Sequence, residues 1–584
     1  MCGIFAYTGN KHNAANLILN GLKSLEYRGY DSWGLVVKKN SDLFIEKHVG
    51  KIGNAKIKKI GSHIGLGHTR WATHGGVTEK NTHPHVDCKE EVVIVHNGIV
   101  ENFEILKKRL LKLGHKFQSE TDSEVIAHLI EEKLKTKSNK PKIIKETFQE
   151  IKGMNAIIVF FPKTEEFFAI KNGSPIVFGK NKQEKIIASD ASAIIPYTKE
   201  VYFLEDNELL MINNKNQQLF NRQNKIMTIK YITLHYDKQD AEIGKYPNFM
   251  LKEISEQPKV LLNIVDTQKN NLEKASQIIK KSYGSYLIGC GTAYYAALAG
   301  SYLFSKIAKR HVNVSVSSEF NYLTDFLTDK SLIIALSQSG ETIDTISCLK
   351  KAQEKKSKIM AITNVLGSTL YRMSDEKILL QAGPEKCVLA TKSFTAKIAV
   401  LYLLAYCLNG GYEKGREQIK KAIAEIKRLI ESSQIKQLAN RLKNSQHIYV
   451  LGRGVSYPTA LESALKIKEV SYVHAEGFAA GELKHGVIAL IEKNTPVIVY
   501  NPSDETYNDT LSSTYEIKAR GAYVIGIAEK NNRVYDQFIE VKDCQEATII
   551  PNVVVAQLLG YYLALSKDYD PDKPRNLAKS VTVK

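Results

Sequence analysis

An internal duplication constrains this chain more than any other sequence feature. The segment YLIGCGTAYYAAL, which begins at Tyr286, recurs as YVLGRGVSYPTAL from Tyr449, an offset of 163 residues. Further along, LIIALSQSGET ending at Thr342 corresponds to PVIVYNPSDET ending at Thr506, an offset of 164. Each copy shows a strand, a glycine-rich turn, a helix, a second strand and a polar turn. The pattern predicts two doubly wound α/β domains with parallel sheets, whose ligands bind beyond the carboxyl ends of the strands.

The residues before the duplication predict a different architecture, an α+β layered domain with a mostly antiparallel sheet. Short apolar strands bounded by turn residues are predicted at Gly34–Lys38, Val92–His96, Ala156–Phe161 and Lys185–Ser189. Helical patterns lie between them at Leu17–Leu25, Glu101–Leu113 and Ser123–Lys137.

Polar and proline-containing stretches set the predicted domain boundaries. Residues 214–231 are polar and aperiodic, and residues 245–258 carry two prolines and indicate a linker that passes into a helix. The predicted organisation is a first domain over 2–220, a linker with a lead-in helix over 221–274, two repeats over 275–415 and 437–574, and a tail over 575–584.

Charge and cysteine usage exclude several classes of function. The net charge is +19, but the lysines are spread along the chain beside acidic residues, and no nucleic-acid-binding motif accompanies them. The seven cysteines are widely spaced without a CxxC pair, which argues against a disulfide framework or a structural zinc site. The longest apolar stretch, Ala399–Leu408, is too short to span a bilayer and predicts a buried helix. We therefore expect a cytoplasmic protein without nucleic-acid or membrane partners.

Cys2 is the candidate nucleophile of the first domain. If Met1 is removed, the α-amino group of Cys2, with an ordinary pKa of about 7.7–8.0, can act as the base that activates its own thiol. Polar motifs follow predicted strands at His68–Gly75 and His96–Gly98, and Ser119–Glu124 is typical of a helix N-cap. An arginine suits the carboxylate of glutamine, and an aspartate suits its ammonium group. A side-chain amide with a backbone N–H suits the oxyanion of a tetrahedral intermediate.

These motifs resemble the N-terminal-nucleophile glutamine amidotransferases, which have an αββα fold. The matching residues are Cys2–Ile4, Tyr27–Ser32, Arg70–Trp71, Asn97–Gly98 and Asp122. The resemblance implies that Cys2 is the nucleophile. It further implies that Arg70 and Asp122 bind glutamine and that Thr73 and His83 line the glutamine pocket. Asn97 and Gly98 would form the oxyanion hole. Trp71 would control an ammonia passage. Metal binding by His83, His85 and His96 is a weaker alternative, because their spacing fits no standard ligand pattern.

The polar turn at Ser337–Thr342 has the composition of a phosphate-binding loop. It lies where a strand runs into a helix, so that hydroxyls, an amide and free backbone N–H groups converge at a helix N-terminus. The second repeat has Asn501–Asp504 at this place, where the proline removes a donor and the aspartate repels phosphate. Only the first repeat is therefore expected to bind an anion. The turn at Gly289 reads GCGTAY rather than GxGxxG, which argues against a dinucleotide site.

The duplicated half resembles sugar isomerase (SIS) domains, and the whole chain is similar to the glutamine–fructose-6-phosphate aminotransferase family. The most specific matches are Lys252–Ile254 with Gln257–Pro258, Cys290–Thr292, Ser337–Thr342, Thr391–Lys392, Leu451–Gly454, Leu461–Glu462 with Lys468–Glu469, His474–Glu476, Gly481–Gly486 and the tail Pro574–Val583.

The resemblance implies that the amide nitrogen of L-glutamine is transferred to D-fructose 6-phosphate with isomerisation, the first step of amino sugar synthesis. The products would be D-glucosamine 6-phosphate and L-glutamate, with no cofactor and no metal, and a homodimer is the family expectation. The resemblance implies that Lys579 forms a Schiff base, that Glu469 transfers a proton between C1 and C2, and that His485 helps to open the sugar ring. The residues that would bind the phosphate are Ser337, Gln338, Ser339 and Thr342. Those that would contact the sugar are Thr292, Val388 and Ala578.

Two substitutions set this chain apart from the family pattern. Ala293 and Ala390 stand where the family usually has serines that help to bind the sugar phosphate. A different ketose phosphate as acceptor is therefore the alternative function. A non-enzymatic sugar-phosphate sensor would require loss of Cys2 or Lys579, and both are present.

Overall fold

The chain divides into two compact units in its computed structural model, which describes residues 2–58, 60–234 and 239–582. The first unit comprises the chain up to Glu242 together with the tail from Ala578, and the second comprises Ile243–Leu577. The boundary between the two units thus falls within the tail predicted over 575–584, and Ala578 and Lys579 belong to the first unit. Val583 and Lys584, at the end of the predicted tail motif, lie outside the described residues.

The first unit contains two antiparallel sheets. One has the order β15-β11-β9-β10-β1-β4-β2-β3 and the other the order β14-β13-β12-β8-β7-β6-β5. The strands are β1 Gly3–Gly9, β2 Ser32–Lys39, β3 Asp42–Val49, β4 Ile64–Arg70, β5 His85–Val86, β6 Val93–Gly98, β7 Asn155–Phe161, β8 Glu166–Asn172, β9 Val177–Lys180, β10 Glu184–Ala188, β11 Glu200–Phe203, β12 Leu209–Ile212, β13 Gln217–Phe220, β14 Ile226–Met227 and β15 Ile232–Thr233.

Helices cover the outer faces of both sheets, which gives four layers in the order αββα. The helices are α1 Ala14–Leu25, α2 Phe103–Lys112, α3 Glu124–Leu134 and α4 Lys140–Glu150. One apolar core lies between the sheets, a second joins the first sheet to α1, and a third joins the second sheet to α2, α3 and α4. Because both faces of the central strands are buried, β1 and β7 are buried along their whole length and are mostly apolar rather than alternating, with Thr8 and Asn155 as buried polar residues.

The secondary structure predicted for the first domain is confirmed, with small shifts at the ends. The four predicted strands correspond to β2, β6, β7 and β10, and the three predicted helices to α1, α2 and α3. The polar stretch 214–231, predicted as irregular, contains β13 and β14, and β15 follows directly at Ile232–Thr233. These short edge strands are held by pairing with β12 and β11, a tertiary contact that no local periodicity reveals.

The second unit contains two parallel sheets with the same topology. Their orders are β17-β16-β18-β19-β20 and β22-β21-β23-β24-β25, both of the 2-1-3-4-5 type. The predicted duplication is thereby confirmed in three dimensions. The strands are β16 Ser285–Gly289, β17 Asn313–Val316, β18 Leu332–Ser337, β19 Lys358–Thr363, β20 Glu376–Leu379, β21 His447–Gly452, β22 His474–Ala479, β23 Pro496–Tyr500, β24 Tyr523–Ala528 and β25 Gln537–Glu540.

Helices pack on both faces of these sheets and join the repeats into one large core. They are α5 Phe249–Thr267, α6 Lys269–Lys281, α7 Thr292–Ala308, α8 Ser317–Phe320, α9 Ile343–Glu354, α10 Thr369–Met373, α11 Lys392–Leu408, α12 Tyr412–Glu431, α13 Gln434–Leu442, α14 Ser456–Ser471, α15 Tyr507–Lys518 and α16 Ile549–Ser566. The predicted passage from linker into helix is realised by α5, where the Asn248 side chain accepts a hydrogen bond from the Leu251 N–H.

Two central helices, α11 and α16, are buried on almost every side. The predicted buried helix at Ala399–Leu408 is the second half of α11, which is buried almost throughout. Among the residues that the structure describes, one segment, Gln545–Ser566, has the length and hydropathy of a membrane span, and 89% of its most apolar window is buried inside the fold. A buried core helix has the same properties, so this is weak evidence for a membrane span.

Candidate active sites

The thiol of Cys2 lies at the start of β1 beside the backbone of Trp71. The Trp71 N–H donates to Cys2 Sγ at 3.3 Å, and the thiol faces the Trp71 carbonyl at 3.6 Å. The Gly3 N–H donates to the Thr69 hydroxyl at 3.1 Å, which fixes β1 against β4. The backbone carbonyl of Cys2 accepts from Arg28 at 3.2 Å. The nucleophile predicted from the sequence is therefore half-buried and held by its neighbours on one side.

Asn97 ends β6 with its amide directed at Cys2. Its Nδ2 donates to the Cys2 carbonyl at 3.1 Å, and its Oδ1 lies 3.1 Å from Nε2 of His68. His68 Nε2 also lies 3.1 Å from the His96 carbonyl, so it carries the proton and fixes the orientation of the Asn97 amide. Burial lowers the pKa of His68 to about 3, which keeps the ring neutral. His68 is thus a positioning residue that sequence reasoning missed.

Gly98 occupies a backbone conformation that only glycine tolerates here. Its φ is +135°, and a Cβ at this position would lie 2.2 Å from the Met154 carbonyl oxygen. The Gly98 peptide therefore follows Asn97 at the end of β6 without a side chain in the way. The two predicted oxyanion-hole residues thus lie side by side at the end of β6, and their role stays a prediction.

Arg70 is buried at the end of β4, and its guanidinium holds the following loop. It donates to the carbonyls of His74 at 2.5 Å, Gly75 at 3.1 Å and Gly76 at 3.0 Å. Burial lowers the pKa of Arg70, while the nearby groups of Cys2 and Asp122 act in the opposite direction. The structure thus brings Arg70 into electrostatic range of both Cys2 and Asp122.

Asp122 is buried just before α3 and accepts a hydrogen bond from the Val100 N–H at 2.7 Å. The predicted N-cap at Ser119–Glu124 differs in detail. Ser123 stands at the N-cap position, but its side chain makes no cap bond and faces His96 Nδ1 at 2.8 Å. Glu124 instead accepts from the backbone N–H groups of Gln118 and Ser119, both at 2.7 Å. The side chains of Ser123 and Glu124 thus bind these partners rather than the N–H groups of the first turn of α3. A local sequence motif does not reveal this choice of partners.

Of the remaining predicted residues of this site, His83 is buried and Thr73 is exposed. His83 lies between the rings of His68 and His85, with centroids 4.2 Å and 4.4 Å away. Burial holds the pKa of His83 well below its ordinary value, so this stack is neutral. Trp71 is partly exposed.

The predicted phosphate loop lies between β18 and α9, at the carboxyl end of the first parallel sheet. The Ser337 hydroxyl lies 2.9 Å from that of Thr342 and accepts from the Gly340 N–H at 3.0 Å. The Glu341 N–H donates to the Ser339 hydroxyl at 3.2 Å. The loop is thus closed by its own hydroxyls at the N-terminus of a 12-residue helix, whose dipole favours an anion.

The corresponding turn of the second sheet satisfies itself with an internal carboxylate. Asp504 Oδ1 accepts from the Thr506 N–H at 2.8 Å and from its hydroxyl at 2.7 Å, directly before α15. The Asn501 amide donates to the Tyr535 hydroxyl at 3.0 Å. A fixed negative charge thus occupies the place where a phosphate would bind, as the asymmetry between the repeats predicts.

Glu469 lies on α14 within a buried charge cluster. Lys466, one turn earlier and fully buried, pairs with Glu469 at 2.5 Å and with Glu462 at 3.5 Å. Thr292, the first residue of α7, donates to Glu462 at 3.2 Å. Burial raises the pKa of Glu462 to about 7, although Lys466 acts against that rise. Lys466 and Glu462 are further candidates to which the sequence assigned no role. The available signal was the i, i+3 spacing of Lys466 to Glu469 and the i, i+4 spacing of Glu462 to Lys466.

The other predicted residues of the sugar site differ in their burial. Val388 is buried, and its N–H donates to the Asp572 carbonyl at 3.1 Å. His485 is exposed at the end of a short 3₁₀ helix, and Gln338 is partly exposed. Lys579 and Ala578 are partly exposed and belong to the first unit.

Comparison with known protein families defines the class of protein. Residues 68–196 match the glutamine amidotransferase domain family, and residues 278–406 and 441–567 each match the SIS domain family. The αββα fold and the two parallel sheets therefore define a class of protein in which one amidotransferase domain is followed by two SIS domains in tandem.

Full-length relatives give the particular family. The chain is 42% identical to glutamine–fructose-6-phosphate aminotransferase (isomerizing) of Pyrococcus horikoshii and 40% identical to that of Thermococcus kodakarensis, with 100% of each chain covered. Its second half is similar to the C-terminal domain of glucosamine–fructose-6-phosphate aminotransferase from Francisella tularensis, with 34% identity and a TM-score of 0.51 over 56% of this chain and 99% of that one. The chain belongs to the glutamine–fructose-6-phosphate aminotransferase family.

Proposed function

We propose that this enzyme transfers the amide nitrogen of L-glutamine to D-fructose 6-phosphate and isomerises the product to D-glucosamine 6-phosphate, with release of L-glutamate. The observation that carries the proposal is that one chain of this family combines Cys2, beside the Trp71 N–H, with one loop of phosphate-binding composition, Ser337–Thr342, at the N-terminus of α9. The second repeat closes its loop with Asp504, so one sugar phosphate per chain is the expected stoichiometry.

In the first unit, the Cys2 thiolate attacks the amide carbon of glutamine. The Trp71 N–H, 3.3 Å from Sγ, stabilises the thiolate before the attack. The tetrahedral oxyanion is held by the Asn97 amide and the Gly98 N–H. The α-amino group of Cys2, which took the proton of the thiol, returns it to the amide nitrogen, so that collapse releases ammonia and leaves a glutamyl thioester. Water then hydrolyses the thioester to glutamate. Arg70 and Asp122 bind the α-carboxylate and α-ammonium groups of the substrate.

In the second half of the reaction, the loop Ser337–Thr342 binds the phosphate and His485 assists opening of the furanose ring. Lys579 forms a Schiff base with the C2 carbonyl, which ammonia then displaces to give the C2 imine. Glu469 removes a proton from C1 and returns it to C2, which converts the ketose derivative into the aldose. The ammonium group of Lys466 at 2.5 Å lowers the cost of holding the Glu469 carboxylate inside the fold.

Three further properties are part of the proposal. Trp71 controls the passage of ammonia, so that nitrogen reaches the sugar without being lost to water. The enzyme works in the cytoplasm, as is usual for enzymes of phosphorylated metabolites, and as a homodimer. The small side chains of Ala293 and Ala390 in place of serines weaken sugar-phosphate binding without changing the reaction.

The decisive experiment measures both products in one assay. Purified enzyme receives glutamine and fructose 6-phosphate, and glutamate and glucosamine 6-phosphate are quantified together. We expect equal amounts from the wild type, neither product from Cys2→Ala, and glutamate alone from Lys579→Arg. A Trp71→Ala variant is expected to release more glutamate than amino sugar.

The controls separate the two halves of the claim. Other ketose phosphates are offered in parallel, and a wild-type preference for one of them over fructose 6-phosphate would refute the assigned acceptor. Full synthesis from glutamine by Cys2→Ala would refute the nucleophile, and full synthesis by Lys579→Arg would refute the Schiff base.

A further inference from the structure

A cluster of four potential metal ligands lies in the first unit, away from Cys2. The groups are Cys88 Sγ, His115 Nδ1, His128 Nδ1 and a carboxylate oxygen of Glu131, and all lie within 4.8 Å of one another. Cys88 follows β5, His115 follows α2, and His128 and Glu131 lie one turn apart on α3. We propose that these four residues form a structural zinc site.

The distances between the ligand atoms are those of a tetrahedral site. Cys88 Sγ lies 3.8 Å and 3.6 Å from the two histidine Nδ1 atoms, which themselves lie 2.9 Å and 3.1 Å from Glu131 Oε2. With the usual zinc–ligand bond lengths, tetrahedral geometry requires about 3.6 Å between sulfur and nitrogen and about 3.3 Å between nitrogen and oxygen. A small adjustment of the side chains is therefore enough to admit the ion.

The outer ring nitrogens support the same interpretation. His115 Nε2 faces Glu132 at 2.8 Å, and His128 Nε2 faces Glu124 at 3.5 Å. The inner nitrogen of each ring, Nδ1, thus points at the centre of the cluster, and the outer nitrogen points at a carboxylate outside it. With a metal ion at the centre, each neutral ring binds the ion through its Nδ1 lone pair, and its Nε2–H is directed at that outer carboxylate. Carboxylates on the far side of metal-bound histidines are a regular feature of zinc sites.

Charge balance and donor type favour zinc. A Zn²⁺ ion with one thiolate and one carboxylate is neutral, which suits a place where the side chains of His115 and His128 are 2% and 1% exposed. Sulfur, imidazole and carboxylate together are ligands that zinc accepts, and four protein ligands without an open position indicate a structural role. The Lys116 N–H donates to Cys88 Sγ at 3.4 Å, as expected around a thiolate. Cys88 is exposed and provides the route of entry.

The site would fasten three segments that are distant in the sequence. Cys88 is 27 residues from His115 and 40 from His128, so the ion ties the turn after β5 to the α2–α3 connection and to α3 itself. Asp122, which binds glutamine in the proposed function, lies two residues before α3. The zinc site itself does not depend on that function. The sequence argued against a structural zinc site because it contains no CxxC pair, and the cluster departs from that expectation.

The test measures zinc in the untagged, full-length chain by mass spectrometry after dialysis. We expect about one zinc per chain, held in the matched controls Cys407→Ser and His63→Asn and lost in Cys88→Ser and His128→Asn. A Glu132→Gln variant, which changes only an outer partner, is expected to weaken affinity by about 10- to 100-fold in a competition with a chromogenic chelator.

Cobalt substitution provides a readout that does not depend on the folding of variants. The wild-type chain, stripped and refilled with Co²⁺, is expected to show the thiolate charge-transfer band and the strong visible bands of a tetrahedral site, and zinc is expected to displace them. Refilling with zinc is also expected to raise the unfolding temperature of the stripped wild type. Absence of zinc from the wild type after refilling, or wild-type zinc content in Cys88→Ser, would overturn the proposal.

Discussion

Gly340 is the position where one added methyl group tests the phosphate loop most directly. Its φ is +67°, in the left-handed region, and a Cβ would lie 2.1 Å from the Ser368 hydroxyl and 2.9 Å from that of Thr363. Its N–H also donates to Ser337 at 3.0 Å. A Gly340→Ala substitution therefore has to displace the loop or its neighbours.

The magnitude follows from two contributions. The left-handed conformation costs alanine about 1–2 kcal/mol. Gly410 has a φ of +73° and no atom within 4 Å of the place that a methyl group would occupy, so alanine there carries only this cost. The forced contact with Ser368 adds about 1–3 kcal/mol of overpacking. If the displaced loop loses one hydrogen bond to the charged phosphate, worth about 1.5–3 kcal/mol, binding weakens by about tenfold to a hundredfold.

The assay compares Gly340→Ala with the matched control Gly410→Ala, which places the same residue in the same backbone region outside the loop. The KM for fructose 6-phosphate is expected to rise by about tenfold to a hundredfold in Gly340→Ala only. The KM for glutamine in the glutaminase reaction stays at the wild-type value in both, because that site lies in the other unit. Thermal unfolding shows whether each variant is folded.

The reasoning is refuted by a folded Gly340→Ala variant whose KM for fructose 6-phosphate equals that of Gly410→Ala. That result would mean that the loop does not hold the phosphate, or that it tolerates the added methyl group without moving.

Other residues give independent tests. Asn97→Ala is expected to lower kcat for glutamate release by about 10²- to 10³-fold through loss of one oxyanion donor, and an unchanged kcat would contradict the assignment. Burial lowers the pKa of His68 and His85 to about 3, so only the unfolded chain takes up these protons below pH 6.5. Stability of the first unit therefore falls as the pH falls, by about 2 kcal/mol per histidine between pH 6.5 and 5. Urea unfolding followed by tryptophan fluorescence measures this, since both tryptophans lie in that unit, and equal stability at the two pH values would contradict it. Asp504→Ala is expected to cost about 1 kcal/mol of stability by removing the acceptor of two hydrogen bonds in the turn before α15, while the KM for the sugar phosphate stays unchanged; a changed KM would place the phosphate in the second repeat.

The candidate sites could be predicted only as far as their residues stand in local motifs. Asn97 and the loop at Ser337 follow predicted strands, so their positions at strand ends were predicted from the sequence, whereas Cys2 was selected by its place after Met1 and by the motifs that accompany it. No role was assigned to His68 because it acts on Asn97, 29 residues away, which the fold brings against it. Lys466 lies at helical spacing from Glu462 and Glu469, but its burial depends on how α14 packs, which the spacing alone does not determine.

The sequence by itself determined the architecture of this protein. Hydrophobic periodicity separated an antiparallel α+β domain from the parallel repeats, and the offset of 163 residues specified that the parallel sheet occurs twice. The physical reason is that strand and helix periods, turns and repeats are properties of neighbouring residues, and burial of the apolar faces leaves few ways to combine them.

Only the tertiary structure decided which distant groups meet. It set His68 against Asn97, 29 residues away, and gathered Cys88 and His128 from 40 residues apart into one ligand cluster. Such meetings depend on register and packing across the core, where a shift of one residue would turn a side chain to the opposite face. The fold could therefore be predicted from the sequence, whereas the charged groups and metal ligands that meet inside the fold could not.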